Sequence, residues 1–341
     1  MALRLLHLNP VVPNTGLEVR FWGVRGSIAA GGQDFAEVGG NTSCVEVRAG
    51  DELIILDAGT GLFRLSETLP EPVRATFLIS HYHWDHIQGF PLFRPAYHPD
   101  NRFDVYGPGG SAATVTRAFD EQMRPPHFPV GLSAMAAQLT FHGVQAGDEL
   151  TLGAVRVTAA ALNHPHGCLG YRISHGDVSV VYATDTEHAE FGALDAAVLE
   201  LARDADLLIY DAQYTDDEYL GVDGPCRKGW GHSTATAACR MARAAGVRQL
   251  ALFHHDPAHR DDRISEIVRD ARAVFGNTVA AREAMRIVVE RPEWAAAGEC
   301  PGGFNSHAGR GSSAVKDDRE RRPGRLAHGQ PGQQAAATHR H

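Results

Sequence analysis

The stretch ISHYHWDHIQGF, residues 79–90, places three histidines and one aspartate within six positions, at His81, His83, Asp85 and His86. It follows the apolar run ATFLIS, which has the composition of a buried strand. Alternate side chains of an extended segment point the same way, so His81 and His83 can converge on one metal ion. The turn that follows would direct Asp85 and His86 towards a second ion. We prefer a metal site to a solvated histidine-rich loop, because ligands are expected on a rigid scaffold such as a strand end.

Two ions need more ligands than these four side chains, and three further strand ends carry a suitable residue. His164 follows VRVTAAAL, Asp185 ends VVYATD, and His254 follows LALF. Imidazole nitrogens and carboxylate oxygens suit zinc, manganese or iron. We therefore predict two divalent metal ions, with Zn²⁺ preferred and Mn²⁺ or Fe²⁺ as alternatives. The neighbouring His255 leaves open which of the two adjacent histidines is the ligand.

Composition narrows the classes of function. The 341 residues are 43% hydrophobic, which is enough for a large core. A net charge of -9 argues against broad electrostatic binding of nucleic acid, which needs clustered lysine and arginine. No run reaches the roughly 20 apolar residues that cross a bilayer. Five scattered cysteines without a CxxC pair favour reduced thiols. We predict a cytoplasmic protein with no membrane partner.

The chain is predicted to have three parts: an N-terminal extension at 1–16, a catalytic domain at 17–290 and a disordered tail at 291–341. The tail is rich in Gly, Pro, Arg and Gln and lacks apolar periodicity. The alternative is that the tail binds an anionic partner. We favour this less, because mixed charges in such a segment usually serve only to keep it solvated.

Strands and helices alternate through the predicted domain. Strands are predicted at 17–24, 43–50, 52–59, 74–80, 102–107, 137–144, 154–162, 170–174, 177–185, 205–212 and 248–255. Helices are predicted at 60–69, 111–123, 191–204, 233–246 and 263–276, several opening on Ser or Thr and closing on Gly. The simplest arrangement is two sheets covered by helices on their outer faces.

HYHWDH resembles the HxHxDH motif of the metallo-β-lactamase superfamily, and His164, Asp185 and His254 follow in the order typical of that superfamily. The upstream LDAGTG, with Asp57, is similar to its first motif. The resemblance covers residues 17–290. It implies an α/β (α+β) protein with a four-layer αββα sandwich, formed as a single domain, with a dinuclear site where the two sheets meet.

The resemblance also implies a role for each residue. One metal ion would be held by His81, His83 and His164, and the other by Asp85, His86 and His254. Asp185 would bridge the two ions, and Asp57 would orient the ligand loop without binding metal itself.

A second motif concerns the reaction. GHSTATAA resembles the His-Ser-Thr loop of the ribonuclease Z and cyclic phosphodiesterase branch, which makes His232 the candidate general acid. Ser233 is the predicted cap of the next helix, whose positive N-terminal end would face an anion and make Ser233 a candidate substrate-binding residue. Asp211, in LLIYDAQYT, stands where ribonuclease Z has a glutamate, and would orient His232. The candidate catalytic residues are therefore Asp85, His232 and Asp211. The alternative is a capping motif with an incidental histidine.

Substrate contacts are harder to predict from the sequence. Arg25 and Asn41 lie in the glycine-rich run FWGVRGSIAAGGQDFAEVGGNTSC. This run is expected to form a mobile loop near the metal ions, where Arg25 or Asn41 would touch substrate, and the alternative is a plain surface loop. Phe90, Phe93 and Tyr97 could stack on a base, although core packing is the preferred interpretation. No role is assigned to Trp84.

Ribonuclease Z carries a long arm for transfer RNA between its third-motif histidine and the bridging aspartate. Here about 20 residues separate these positions, and they read as a tight hairpin without room for an arm. The pattern is similar to bacterial cyclic-nucleotide and phosphoribosyl cyclic-phosphate phosphodiesterases. We predict a binuclear hydrolase that cleaves a small phosphodiester, a cyclic nucleotide or cyclic phosphate, by a metal-bridging hydroxide. The alternatives are a thioesterase or lactonase of this fold, or a non-catalytic metal-loaded sensor. The sequence leaves a homodimer open.

Overall fold

The computed structural model describes residues 16–188, 194–222 and 224–291. The chain divides into two units, 1–296 and 297–341, and the second lies outside the described residues. Nearly all of the predicted extension at 1–16 and tail at 291–341 also lies outside them. The predicted domain boundaries therefore remain predictions.

The described residues form two mixed sheets and several helices. The strands are β1 (Leu17–Gly23), β2 (Cys44–Ala49), β3 (Glu52–Leu56), β4 (Arg74–Leu78), β5 (Arg102–Pro108), β6 (Gln138–Val144), β7 (Glu149–Leu152), β8 (Val155–Leu162), β9 (Cys168–His175), β10 (Val178–Ala183), β11 (Leu207–Asp211), β12 (Gln249–Phe253), β13 (Thr278–Ala280) and β14 (Arg286–Val289). The α-helices are α1 (Gly61–Ser66), α2 (Trp84–Ile87), α3 (Ala112–Gln122), α4 (Ala196–Ala202), α5 (Asp216–Leu220), α6 (Ala235–Ala244) and α7 (Asp261–Val274). None of the described helices is long and apolar enough to cross a membrane.

Each sheet has seven strands among the described residues. The first sheet has the order β14-β1-β2-β3-β4-β5-β6, and the second has the order β13-β12-β11-β10-β9-β8-β7. Helices α1 and α3 contact the first sheet, and α4, α6 and α7 contact the second. One apolar core joins residues of both sheets, and another lies between the first sheet and its helices. The predicted αββα sandwich is thus confirmed.

The predicted strands and longer helices all occur, with ends that differ by a few residues. Strands β7, β13 and β14 were not predicted, because three or four residues give too short a pattern to recognise. The short helices α2 and α5 were missed for the same reason. Helix α4 begins at Ala196, later than predicted, because Asp195 caps it by accepting from two backbone amides.

Strand direction explains where polar side chains gather. Strand β3 runs parallel to β4, while β10, β11 and β12 run parallel to one another. Strand β8 has the same direction as β10, since both are antiparallel to β9. The carboxyl ends of each set therefore meet at one edge of their sheet. The residues that the sequence predicts as metal ligands follow the ends of four of these strands, β4, β8, β10 and β12.

Candidate metal centre

The seven predicted ligands lie together in two adjoining groups. His81, His83 and His164 form one group, in which the ligand atoms all lie within 4.8 Å of one another. Asp85, His86, Asp185 and His254 form the other, within the same distance. The structure thus brings together side chains from four strand ends.

Asp185 lies between the two groups, with one carboxylate oxygen turned to each. Its Oδ2 is 3.7 Å from His81 Nε2 and 3.8 Å from His164 Nε2. Its Oδ1 is 3.2 Å from His86 Nε2 and 3.3 Å from His254 Nε2. This is the geometry that a carboxylate shared by two cations requires.

The backbone turns sharply at three strand ends to aim these side chains. Asp57, Asp185 and His254 have φ angles of 59°, 50° and 59°, in the left-handed region that non-glycine residues seldom adopt. Each such residue costs on the order of 1–3 kcal/mol and persists only where the surrounding structure holds it. Such strain is typical of functional sites.

Several imidazoles have a defined tautomer because one ring nitrogen donates to an oxygen. Nδ1 of His86 donates to Asp57 Oδ2 at 2.7 Å, and Nδ1 of His164 donates to the Gly231 carbonyl at 2.8 Å. Nδ1 of His254 donates to Gln213 Oε1 at 3.0 Å. In each ring the lone pair of Nε2 is therefore left facing the centre, as metal-binding histidines require.

The electrostatics of the centre fit cations. Burial by itself would raise the pKa of Asp185, but His254, His86 and His81 around it hold that pKa well below its usual value. Nε2 of His81 is buried and has no hydrogen-bond partner among the described residues. Buried carboxylates and converging imidazole nitrogens are the donor set that divalent transition metals prefer. The residues present therefore fit divalent metal ions.

Asp57 is buried beneath the ligand loop and accepts four hydrogen bonds. Ser80 donates through its amide to Oδ1 at 2.7 Å and through its hydroxyl to Oδ2 at 2.8 Å. Tyr182 donates its hydroxyl to Oδ2 at 2.7 Å, in addition to the bond from His86. Tyr182 was missed in the sequence, because only the pairing of β9, β10 and β11 places it here. Asp57 thus holds the ligand loop without facing the centre.

We expect Asp57→Asn to lower metal affinity by about 10- to 100-fold, because loss of such a partner frees the ring of His86 to reorient. Metal content after dialysis against graded chelator would measure this. Asp104→Asn is the matched control, since Asp104 also binds a histidine, His142, at 2.9 Å but lies on β5 away from the centre. Equal metal retention in the two variants would contradict the assignment.

His232 lies beside the two groups and is held by Asp211. Its Nδ1 is 2.8 Å from Asp211 Oδ2, while its Nε2 makes no hydrogen bond to any described residue. Burial lowers the pKa of His232, but the charge and hydrogen bond of Asp211 outweigh this effect and raise the pKa to about 9. Nearby divalent cations would oppose that shift. The predicted pairing of these two side chains is present in the structure.

The structure distinguishes the two adjacent histidines at the end of β12. His254 Nε2 lies 3.1 Å from Asp85 Oδ2, within the second group. His255 Nε2 instead donates to the carbonyl of Ala281 at 3.1 Å, and burial lowers its pKa to about 3. His254 is therefore the residue that faces the centre. The sequence gives no sign of which of the two histidines faces the centre, nor of the contact between Gln213 and His254.

Arg25 and Asn41, the candidate substrate-binding residues of the glycine-rich loop, bond to other parts of the chain. Arg25 is fully buried, and its guanidinium donates to the carbonyls of Gly39, Asp256 and His259. Asn41 donates its side-chain amide to Glu283. Neither residue lines the cavity at the centre, so the described residues give no support to a contact of Arg25 or Asn41 with substrate.

Ser27 is the residue of that loop that reaches the centre, since its amide donates to Asp85 Oδ2 at 2.7 Å. Gly26 beside it is required by space, because a Cβ there would lie 2.4 Å from the ring of His254. The loop is therefore packed against the ligands.

Ser233 does not cap helix α6, contrary to the prediction. Thr234 is the N-cap and accepts from the amide of Ala237. Ser233 instead donates its hydroxyl to the Thr186 carbonyl at 2.6 Å, and its amide to Asp211 Oδ1 at 3.3 Å. It is buried and helps to hold Asp211, so the structure gives it no exposed anion-binding group.

The aromatic residues after the ligand loop have separate roles. Phe90 and Phe93 are fully buried and pack edge to face against Phe77, in the core under the first sheet. Tyr97 donates its hydroxyl to the Pro91 carbonyl. The preferred interpretation of core packing therefore holds for the two phenylalanines. Trp84, in contrast, is 80% exposed.

An open cavity of about 390 Å³ leads to the centre. It is lined by Ser27, Tyr82, His83, Trp84, Asp85, Asp185 and His232. Its volume suits a small molecule. Both groups of ligands and the candidate general acid therefore border one accessible space.

The αββα fold places the His and Asp cluster where the two sheets meet. This cluster, the superfamily match and the ribonuclease Z relatives described next together make the chain a metal-dependent hydrolase. The model of the beta-lactamase superfamily domain matches residues 53–255, more than half of the chain, and the chain belongs to this superfamily.

The comparisons with individual proteins agree. The chain is similar to "Ribonuclease Z" of Methanosarcina acetivorans, at 26% identity over 81% of this chain and 100% of that protein. It resembles the metallo-beta-lactamase fold protein YhfI from Bacillus subtilis, with a TM-score of 0.60 and 22% identity over 80% of this chain and 99% of that one. It also resembles a diphosphatase from the PhnP family, with a TM-score of 0.58 and 18% identity over 80% and 97% of the two chains.

Proposed function

We propose that this protein is a cytoplasmic, two-metal phosphodiesterase that cleaves a small phosphodiester, a cyclic nucleotide or cyclic phosphate. The observation that carries the proposal is the position of Asp185, whose two carboxylate oxygens face different groups of imidazoles. The proposed ligands of one ion are His81, His83 and His164. Those of the other are Asp85, His86 and His254. We propose Asp185 as the bridge and Zn²⁺ as the native metal.

Two divalent ions bound by these residues would supply a clamp for the attacking and leaving oxygens of a phosphodiester, and a nucleophile near neutral pH. The residues of the chain position the rest of the reaction. Asp211 holds Nδ1 of His232, so that Nε2 is the atom able to donate a proton. We assign this proton to the leaving oxygen, which would otherwise depart as a costly alkoxide. Ser27 restrains Asp85 by donating its backbone amide to Oδ2.

The hairpin between two of the ligands supports a small substrate. Strands β9 and β10 pair from Tyr171 with Tyr182 to His175 with Val178, leaving only Gly176 and Asp177 in the turn. No inserted arm therefore stands between His164 and Asp185. A substrate as large as transfer RNA would have to be bound by other surfaces, and the chain has a net charge of -9.

The relatives favour phosphodiester chemistry over the alternatives of thioester or lactone hydrolysis. The similar protein of Methanosarcina acetivorans is named "Ribonuclease Z", and such an enzyme cleaves phosphodiester bonds. Among the described residues His232 and Asp211 also form a proton-donating pair, which a simple metal-loaded sensor does not need.

Purified protein with measured metal content should hydrolyse bis(p-nitrophenyl) phosphate and members of a panel of cyclic nucleotides. Chelator should abolish this activity and added Zn²⁺ or Mn²⁺ should restore it, because the proposed clamp consists of the metal ions. Turnover of thioesters or lactones without any phosphodiester would overturn the proposal in favour of the runner-up. Bound metal without turnover of any substrate would favour the sensor.

A further inference from the structure

Trp84 is an exposed aromatic residue placed among the candidate metal ligands. It stands between His83 and Asp85 in sequence, as the first residue of α2, and is 80% exposed. Among the described residues its indole ring makes no ring contact or hydrogen bond, and only its backbone carbonyl accepts one, from the amide of Gln88. Exposing a large apolar side chain to water is unfavourable, so an exposed tryptophan beside a candidate active site indicates a binding surface.

A groove of about 670 Å³ begins at this tryptophan. Trp84 and Tyr82 line both this groove and the cavity at the metal centre, so the two spaces adjoin. The far wall is formed by α3 and the segment after it. A substrate whose phosphate lies at the centre can therefore extend across Trp84 into the groove.

The polar side chains of the groove indicate what would occupy it. Gln122 lines it, and its Nε2 is buried without a hydrogen-bond partner among the described residues. An unpaired buried amide costs free energy that a bound acceptor would recover. Gln88 also lines the groove. Amide side chains pair well with the edges of nucleobases.

The charges of the groove argue against a second phosphate. Arg117 lines it and has no ion-pair partner among the described residues, but Glu121, one helical turn further on, lines it too. His127 and the phenol of Tyr82 are the other titratable side chains that line it. A carboxylate next to the arginine leaves little net attraction for an anion, whereas a neutral aromatic ring suits this wall.

We propose that the groove between Trp84 and Gln122 binds the nucleobase of the substrate, with the base stacked on Trp84. This inference rests on the proposed function and narrows its substrate from a cyclic nucleotide or other cyclic phosphate to one that carries a nucleobase. Stacking on an aromatic side chain contributes about 1–3 kcal/mol per base, which corresponds to about 5- to 150-fold in affinity.

Calorimetric titration of the metal-loaded protein with AMP and with ribose 5-phosphate tests the groove, because these ligands differ only in the base. We expect AMP to bind about 10-fold more tightly or better. In Trp84→Ala the ratio of the affinities for AMP and ribose 5-phosphate should fall close to one. In Trp84→Phe most of the preference for AMP should remain. Trp230→Ala is the matched control, since Trp230 is 51% exposed but does not line the groove, and it should keep the preference.

Equal affinity for the two ligands in the wild type, or an unchanged preference in Trp84→Ala, would overturn the inference. Hydrolysis of bis(p-nitrophenyl) phosphate by the same preparation separates this result from failure of the proposed function. If the protein hydrolyses the phosphodiester but binds AMP and ribose 5-phosphate equally, only the inference of a nucleobase groove is overturned. If AMP binds more tightly than ribose 5-phosphate in a Trp84-dependent way but no phosphodiester is hydrolysed, only the proposed phosphodiesterase activity is overturned.

Discussion

Asp185→Asn is expected to reduce phosphodiesterase activity by about 1,000-fold or more. An amide has one oxygen and no charge, so it cannot serve the two groups that Asp185 Oδ1 and Oδ2 face at 3.2–3.8 Å. Loss of a bound ion removes several kcal/mol of transition-state stabilisation, and about 4 kcal/mol corresponds to this factor. Metal content should fall below that of the wild type, measured by elemental analysis together with kcat/KM.

Asp177→Asn is the matched control for this substitution. Asp177 lies in the turn between β9 and β10, is exposed, and makes no ion pair among the described residues. Both the rate and the metal content of this variant should match the wild type. An Asp185→Asn enzyme with wild-type rate and two ions per chain would show that the carboxylate does not bridge them.

His232→Ala is expected to lower kcat by about 100-fold or more while the metal content stays the same, because a general acid contributes on this scale. His232 Nδ1 is already bound to Asp211, so the substitution removes a proton donor without removing a proposed ligand. The loss should be greater for an alkoxide leaving group than for p-nitrophenolate, which departs without a proton. Rates with the two kinds of substrate, measured on the same preparation, check this expectation.

Two further variants separate catalysis from helix capping. Thr234→Ala removes the N-cap of α6 and should cost about 1 kcal/mol of stability with activity retained. Asp211→Asn should slow turnover, and the double variant with His232→Ala should be no slower than His232→Ala, since the aspartate acts through the histidine. If His232→Ala left kcat unchanged for both leaving groups, His232 would have no role in proton transfer.

Most of the fold could be predicted from local patterns. Strands β10 and β11 are buried along their whole length and read as continuous apolar runs, which is typical of central strands. Helix boundaries depend on single hydrogen bonds, and there the prediction failed: Ser233 and Thr234 are equally good capping residues, and only the structure shows that Ser233 binds Thr186. The edge strand β14 was missed because it is defined by its pairing with β1, which lies far away in sequence.

The candidate ligands could also be predicted, because each one follows a strand that the sequence marks clearly. Their supporting contacts could not. Gln213 holds His254, Ser27 holds Asp85 and Tyr182 holds Asp57, and each pair is separated by more than 40 residues. The burial of Arg25 could not be predicted for the same reason, since its carbonyl partners near residue 256 come from another part of the chain.

The sequence by itself determined the identity and order of the candidate metal-binding residues and the αββα class, because both depend on residue type and short-range patterns. The tertiary structure decided which atoms face the centre. It placed Asp185 between the two groups, chose His254 over His255, and left Trp84 exposed beside the cavity. The physical reason is that these outcomes depend on backbone turns with positive φ and on hydrogen bonds between distant strands, which no local pattern contains.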